Sequence, residues 1–311
     1  MRFTICQDSH IGQRTTNQDR TAYSHTQDAL LMLVADGLGG HPRGEVAAQL
    51  AAEVVTLRFH REARPVLADP LQFLADALAG THLAIQDYTL DNGLDESPRT
   101  TIVVCVVQQG IAYWAHAGDS RLYLLRQGHI HARTRDHSEI EWMLDHGLIS
   151  SPEAAHYPRK HHVFSCLGGD HLAQIEYQGG IALQQDDLIL LCSDGIWSPL
   201  GDEGLEQALQ APLQQAVPQL MAQAEALAGA RADNLSLVAM CWHGPVATTP
   251  PIRPACSDQA TQPGAVPDVA APLEEADIER AVADINSTLK STASRPSGPQ
   301  EPHAPQSTSN R

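Results

Sequence analysis

No stretch of this 311-residue chain approaches the ~20 consecutive apolar residues that a helix needs to cross a bilayer, and no membrane partner is expected. Basic residues are scarce as well. Lys and Arg number 20 against 37 Asp and Glu, so the formal net charge is -17, and a surface of that sign repels the phosphates of nucleic acid and of anionic lipid. Cys-x-x-Cys pairs are absent among Cys6, Cys105, Cys166, Cys192, Cys241 and Cys256, most of which lie within apolar runs; they read as buried free thiols in a reducing cytoplasm. The apolar stretch at the N-terminus is far too short for a signal peptide. Also missing are Gly-x-Ser-x-Gly and His-Glu-x-x-His, so no motif announces a serine nucleophile or a two-histidine zinc site. The sixteen histidines are scattered, and His161-His162 reads as a solvated pair.

What the chain does have is aspartate at the ends of apolar runs. Residues 30–35 lead into Asp36-Gly37, 112–118 into Asp119-Ser120 and 188–193 into Asp194-Gly195, while Asp233-Asn234 precedes the run 235–242. Short apolar runs bounded by turn residues read as buried strands, which puts four carboxylates at the mouth of a packed sheet core. Taken singly, an Asp-Gly pair is compatible with an ordinary hairpin turn. Taken together, crowded carboxylates repel and lose hydration unless something cationic lies between them, and oxygen-only ligands favour a hard ion such as Mg2+ or Mn2+. A polar stretch after the expected strand 2–7, from Asp8 to Asp19, adds further acidic groups and Arg14.

At this point a family resemblance enters. Asp8, Gly12, Arg14, Asn17, Gln18 and Asp19 resemble the opening motif of the type 2C metal-dependent protein Ser/Thr phosphatases in their bacterial form. Val34-Ala35-Asp36-Gly37-Leu38-Gly39-Gly40-His41 is similar to the second motif, Ala117-Gly118-Asp119-Ser120-Arg121 to the Gly-Asp-Ser-Arg motif, and Asp136-His137-Ser138 to the Asp-His-Ser motif. Cys192-Ser193-Asp194-Gly195 and Asp233-Asn234 are similar to the last two, and all six fall in the family's order over residues 1–243.

The pattern of apolar residues is compatible with that resemblance. With 42% hydrophobic residues the chain can bury one substantial core, and ~240 residues suit a single sandwich domain. Helical spacing predicts long amphipathic helices over 43–62 and 71–90, a further helix over 139–146 and another over 213–227. Residues 101–133 read as an antiparallel meander, with later strands over 173–177, 188–193 and 235–242. Strands and helices in blocks suggest two stacked sheets with helices outside. The resemblance implies the same: an α+β, four-layer αββα sandwich of two antiparallel sheets flanked by helices, with metals at one end. Residues 1–244 form the expected catalytic domain. Beyond it, residues 245–311 are rich in Pro, Ala and Ser and read as a disordered tail, with a short amphipathic helix over 273–289 whose acidic first turn suits the helix dipole. Such a helix is either fleeting or a docking segment.

The resemblance also implies roles. Asp36 bridges two ions with the Gly37 carbonyl on one of them, Asp194 and Asp233 bind the second, and Asp19 lies in contact with the ions or just behind. Asp119 matches the residue that holds a third, weaker ion; its alternative is to cap the strand turn. Arg14 is the phosphate ligand, for which a guanidinium fork that stays protonated is well matched. Arg121 is instead expected to pair with a carboxylate as a strand residue. The implied activity is hydrolysis of phosphoserine and phosphothreonine with Mn2+ or Mg2+, two or three ions in all, reversing a bacterial Ser/Thr kinase in the cytoplasm. Three positions depart from the family pattern. Leu38 stands where eukaryotic members often have histidine, leaving a metal-bound water or His41 as proton donor; Gln18 replaces a common glutamate; Arg99 replaces a glycine before Thr100-Thr101. The alternatives are a regulator acting on an anti-sigma antagonist, a branch that commonly lacks the phosphate arginine, and a silent phosphopeptide-binding module, which loss of a core aspartate or of Arg14 would signal. Substrate choice is expected to lie in the polar stretch 139–169.

Overall fold

In the computed structural model, the described residues are 1–40, 43–150, 153, 157, 163–169 and 171–244. His41, His161, His162 and the whole tail, including the expected helix over 273–289, lie outside them. Ten strands build two five-stranded antiparallel sheets. The first has the order β1 (Phe3–His10), β10 (Leu235–Trp242), β9 (Leu188–Cys192), β6 (Arg121–Arg126), β7 (His129–Arg133). The second runs β2 (Asp19–His25), β3 (Ala29–Gly37), β4 (Thr100–Gln108), β5 (Ile111–Ala117), β8 (Glu176–Ala182). Helices α1 (Gly44–Glu62) and α2 (Pro70–Asp91) cover the outer face of the second sheet; α4 (Asp194–Ala208) and α5 (Leu213–Ala228) cover the first, and the short α3 (Glu139–Asp145) follows β7. The expected αββα sandwich is therefore present.

The two central sheets explain why the strand sequences are continuously apolar rather than alternating: both faces are buried. In β3, Ala29, Leu31, Leu33 and Ala35 pack toward α1 and α2, while Leu30, Met32 and Val34 pack between the sheets. The same split holds in β10, with Leu235, Leu237 and Ala239 toward α4 and α5 and Val238, Met240 and Trp242 toward the other sheet. The period of two carries these faces onward to the rim. Asp36 continues the inter-sheet row of Val34, and Ser193 and Ser236 continue the inter-sheet rows of Leu191 and Val238, so the apolar middle layer ends in polar groups at one edge.

Several sequence expectations are corrected. The first strand runs on through Asp8-Ser9-His10, because those residues pair with Leu235, Ser236 and Leu237 of β10. Residues 101–133 are not one meander: β4 and β5 belong to one sheet, β6 and β7 to the other, and the chain crosses the sandwich at Gly118-Asp119. The strand expected over 173–177 lies over Glu176–Ala182, set by pairing with β5. Asp36 and Gly37 are strand residues paired with Thr101 and Thr100, and Asp194-Gly195 begins α4, so neither pair is a hairpin turn. Helix α4 itself, which Pro199 and a non-helical Gly201 disguise in the sequence, was not expected. Nor was β2.

Candidate active site

The acidic rim is assembled from both sheets. Asp19, the first residue of β2, is the direct cross-strand partner of Asp36 in β3. Like charges opposite each other destabilise a ladder, and here Asp19 is buried and Asp36 partly so. Asp194 reaches the same place from the first turn of α4, where the helix N-terminus favours a carboxylate. Asp233 sits just before β10, and Asp119 at the crossover between the sheets. Burial is the largest cause holding the Asp36 carboxyl well above the usual range, followed by the charges of Asp19, Asp194, Asp119 and Asp233. Burial likewise pushes Asp19 up to about 6, against the hydrogen bond from Ser193. Asp119 is also raised well above its ordinary value, by burial first and then by Asp194 and Asp136.

Two glycines let the segments approach. A Cβ at Gly37 would run into the backbone of Gly44 at the start of α1, and one at Gly195 would run into the carbonyl of Asn234. The glycine of each Asp-Gly pair is thus required by contact between elements, not by a turn. Asn234 locks the N-terminal loop in place: its Oδ1 accepts from the Gln18 backbone N–H at 2.8 Å, and its Nδ2 donates to the carbonyls of Ile11 (2.9 Å) and Thr16 (3.1 Å).

A hydroxyl network beneath the carboxylates was missed by sequence reasoning. Ser193 Oγ donates to Asp19 Oδ2 at 2.8 Å and accepts from the Ser236 backbone N–H at 3.1 Å, and Ser236 Oγ lies 2.8 Å from Ser9 Oγ. The signal was available: Ser193 closes the apolar run 188–193 and Ser236 interrupts the run 235–242. Asp19 Oδ1, by contrast, is buried with no hydrogen-bond partner. An unpartnered, buried carboxylate oxygen beside a cross-strand carboxylate is costly unless a cation meets it. The donor set, carboxylate oxygens and the adjacent Gly37 carbonyl, fits a hard divalent ion.

Arg14 is half-exposed and its Nη2 donates to Asp233 Oδ2 at 2.6 Å, while the Asn234 N–H holds Asp233 Oδ1 at 2.8 Å. The hydrogen bond and charge of Asp233 raise the arginine above its ordinary value, with Asp194 and Asp36 adding to this. Arg14 is therefore at the rim of the acidic cluster, as the motif suggested, but clasped to one of its carboxylates. Arg121 is structural: it makes a two-pronged ion pair with Asp136 (2.7 and 2.8 Å) and stacks its guanidinium 3.4 Å over the Trp197 ring, whose Nε1 donates to the Asp119 carbonyl at 2.9 Å. His137 has a related duty. Its backbone N–H donates to the Gly118 carbonyl (2.9 Å) and its ring Nδ1 accepts from the Gly118 N–H (3.3 Å), so the Asp-His-Ser segment grips the residue before Asp119.

Of the departing positions, Leu38 is tied by its N–H to the Arg99 carbonyl at 2.9 Å, and the Gln18 side chain reaches Glu45 at 3.3 Å.

The model of the protein phosphatase 2C family matches residues 6–233, the stretch that carries every one of these aspartates. The chain belongs to the protein phosphatase 2C family. A serine/threonine phosphatase of Listeria monocytogenes serotype 4b is 28% identical to this family member over 199 residues, covering 63% of this chain and 79% of the relative. The crystal structure of the Mycobacterium tuberculosis serine/threonine phosphatase PstP/Ppp superposes with a TM-score of 0.70 at 28% identity, covering 78% of this chain and 99% of that one. The catalytic domain of PstP in complex with two manganese ions gives a TM-score of 0.65 at 27% identity, covering 78% and 99%. Among the described residues of this 2C phosphatase, no helix is long and apolar enough to cross a membrane.

Proposed function

We propose that this 2C phosphatase removes phosphate from phosphoserine and phosphothreonine of proteins, using Mn2+ or Mg2+ held by Asp36, the Gly37 carbonyl, Asp19, Asp194 and Asp233, with Asp119 serving a third ion. The observation that carries the reading is the convergence of four other carboxylate charges on partly buried Asp36, beside a buried Asp19 oxygen that has no partner. Two divalent ions, when bound, offset that charge, make water nucleophilic near neutral pH and clamp phosphoryl oxygens. The chain's own residues do the rest. Asp36 and Asp19 hold their carboxylates at fixed separation across a sheet ladder, Ser193 orients Asp19, and Arg14 swings from Asp233 to receive two phosphoryl oxygens. The presence of Arg14 and of every core aspartate favours this function over an anti-sigma regulator or a silent binding module. We further assign it to a bacterial cytoplasm, opposite a Ser/Thr kinase; the free state of Cys6, Cys105, Cys166, Cys192 and Cys241 supports a reducing compartment.

The direct test is release of phosphate from a phosphothreonine peptide by the purified chain with Mn2+. Arg14→Ala should then raise KM by about tenfold or more, as expected for losing a charge-assisted contact worth roughly 1.5–3 kcal/mol. A variant with unchanged KM would remove Arg14 from substrate binding.

The domain boundary is part of the same proposal. Every assigned ligand precedes Gly244, and β10 is tied off at its end by the His243 N–H donating to the Arg2 carbonyl at 2.9 Å. Truncation after Gly244 should therefore leave the melting temperature and the hydrolysis of p-nitrophenyl phosphate unchanged. A several-fold loss of that activity would make residues beyond 244 part of the catalytic fold; a loss confined to a phosphoprotein substrate would assign them to docking.

A further inference from the structure

At the end of the sandwich opposite the acidic rim, three side chains of different chemistry meet. Cys241, near the end of β10, and His243, two residues on, share one side of the strand by the alternation of side chains. Their ligand atoms, Cys241 Sγ and His243 Nδ1, are 4.0 Å apart. Asp186, in the turn before β9, brings its Oδ1 to 3.5 Å from the same Nδ1, and the three atoms all lie within 4.8 Å of one another. β10 separates this group from the aspartates by the length of eight residues, about 25 Å.

We propose that Cys241, His243 and Asp186 form a zinc-binding site, distinct from the oxygen-lined catalytic centre. Thiolate, imidazole and carboxylate are the three protein ligands that Zn2+ takes in tetrahedral sites, at about 2.3, 2.0 and 2.0 Å, so the separations here need only slight contraction around an ion. The imidazole is already oriented. Its Nε2 lies 2.9 Å from Thr4 Oγ1, and an Nε2–H donated to that hydroxyl leaves the Nδ1 lone pair facing Cys241 and Asp186. A ring that donates its far nitrogen to a neighbouring oxygen is the usual arrangement of a ligating histidine. The turn that supplies Asp186 is equally fixed. Asp186 N–H donates to the Trp242 carbonyl (2.8 Å), Trp242 N–H donates to the Asp187 carbonyl (2.8 Å), and the Asp187 carboxylate is clasped by Arg126 at 2.7 and 3.0 Å. Asp187 is thereby spoken for, leaving Asp186, which is largely exposed, to face the imidazole and the thiol. The fourth position faces solvent and would take water.

Among the described residues a second three-residue group, His116, His137 and Glu176, lies beside the crossover at Gly118. Its two imidazole rings are stacked at 4.7 Å, with His116 Nε2 2.6 Å from the Arg135 carbonyl and His137 Nδ1 accepting from the Gly118 N–H, so the group also serves to brace the crossover, and it has no thiol.

Cobalt discriminates this site from the catalytic one, because only a thiolate ligand gives cobalt a near-ultraviolet charge-transfer band. Metal-stripped full chain titrated with Co2+ should develop that band to the intensity of one cobalt–thiolate bond per chain, and Zn2+ should bleach it. The band should persist in Asp194→Asn, which alters the catalytic cluster, and vanish in Cys241→Ser. Asp186→Asn, which retains a residue tolerant of the positive φ of 65° at that position, should weaken it without touching the thiol. As a check that needs no variant, Zn2+ should slow alkylation of Cys241 by iodoacetamide by at least about tenfold, since the metal-bound sulfur is withdrawn from reaction. A folded wild-type chain without the band, a band that survives Cys241→Ser, or alkylation of Cys241 indifferent to Zn2+ would overturn the assignment.

Discussion

Asp194→Asn is expected to fold and yet to lose p-nitrophenyl phosphate turnover by more than about a hundred-fold, beyond the 10–100-fold cost of changing a residue that merely supports a metal ligand. The substitution keeps the size of the side chain and its place in the first turn of α4, but removes the charge that acts on Asp19, Asp36 and Asp119 alike. An amide is a weaker ligand for a hard ion than a carboxylate. The loss should be repaired in part by raising Mn2+, because the defect is one of affinity. The same logic predicts that EDTA stops the wild-type enzyme and Mn2+ restores it. Turnover that persists after complete chelation, or wild-type turnover in Asp194→Asn, would sink the site.

A second large effect should appear in the metal-stripped protein, where stability and activity are opposed. Asp19 titrates near 6 in the folded chain against an ordinary value of 3.8. The folded state thus holds its proton more tightly than the unfolded state. The stability from that proton is fully present below pH ~4 and is lost as pH rises through about 6, a swing on the order of 3 kcal/mol if Asp19 acted alone. Asp36 and Asp119, raised for the same reasons, act in the same direction. In EDTA, the melting temperature should therefore fall between pH 5 and pH 7.5, and added Mn2+ should recover it. Asp19→Asn should be more stable than wild type at pH 7.5 in EDTA while being the poorer enzyme with Mn2+, a trade seen wherever function stores unfavourable charge. If Asp19→Asn melts lower than wild type under chelation, the crowding of carboxylates is not what limits the apo protein.

The sequence made the strand cores and the aspartates legible for one physical reason: both depend on short-range pattern. Continuous apolar runs such as 30–35 and 235–242 are buried on two faces, and the structure places β3 and β10 there, with Asp36 and Asp233 at their ends. Long helices with apolar residues at helical spacing, α1 and α2, were equally plain, and so was α5. What pattern could not reveal was set by partners distant in the chain. β2 is a strand because β3 lies beside it, and its own residues show little apolar bias. The sheet exchange at Gly118-Asp119 is invisible in a stretch whose strands all look alike. The hydrogen bond of Arg14 to Asp233 joins residues 219 positions apart. The glycine after Asp36 and the one after Asp194 were read as turn residues, since the clash that requires them is with backbone from other elements. His41, expected as one possible proton donor, falls outside the described residues.

The seam between the two sheets has a further meaning. Asp19 and Asp36 belong to one sheet, whereas Ser193, Asp194 and Asp233 are carried by elements of the other, and what keeps the two groups at their spacing is the thickness of the apolar layer from Met32 and Val103 to Leu191 and Met240. Interiors packed as densely as crystals resist compression, so this layer works as a spacer block. On the proposed ligand assignment, the gap offered to ions is gauged by hydrocarbon that never meets them. On that same assignment, exchanging a buried methionine, valine or leucine of this layer for a smaller residue should shift the preference between ions of different radius as changing an acid at the rim does.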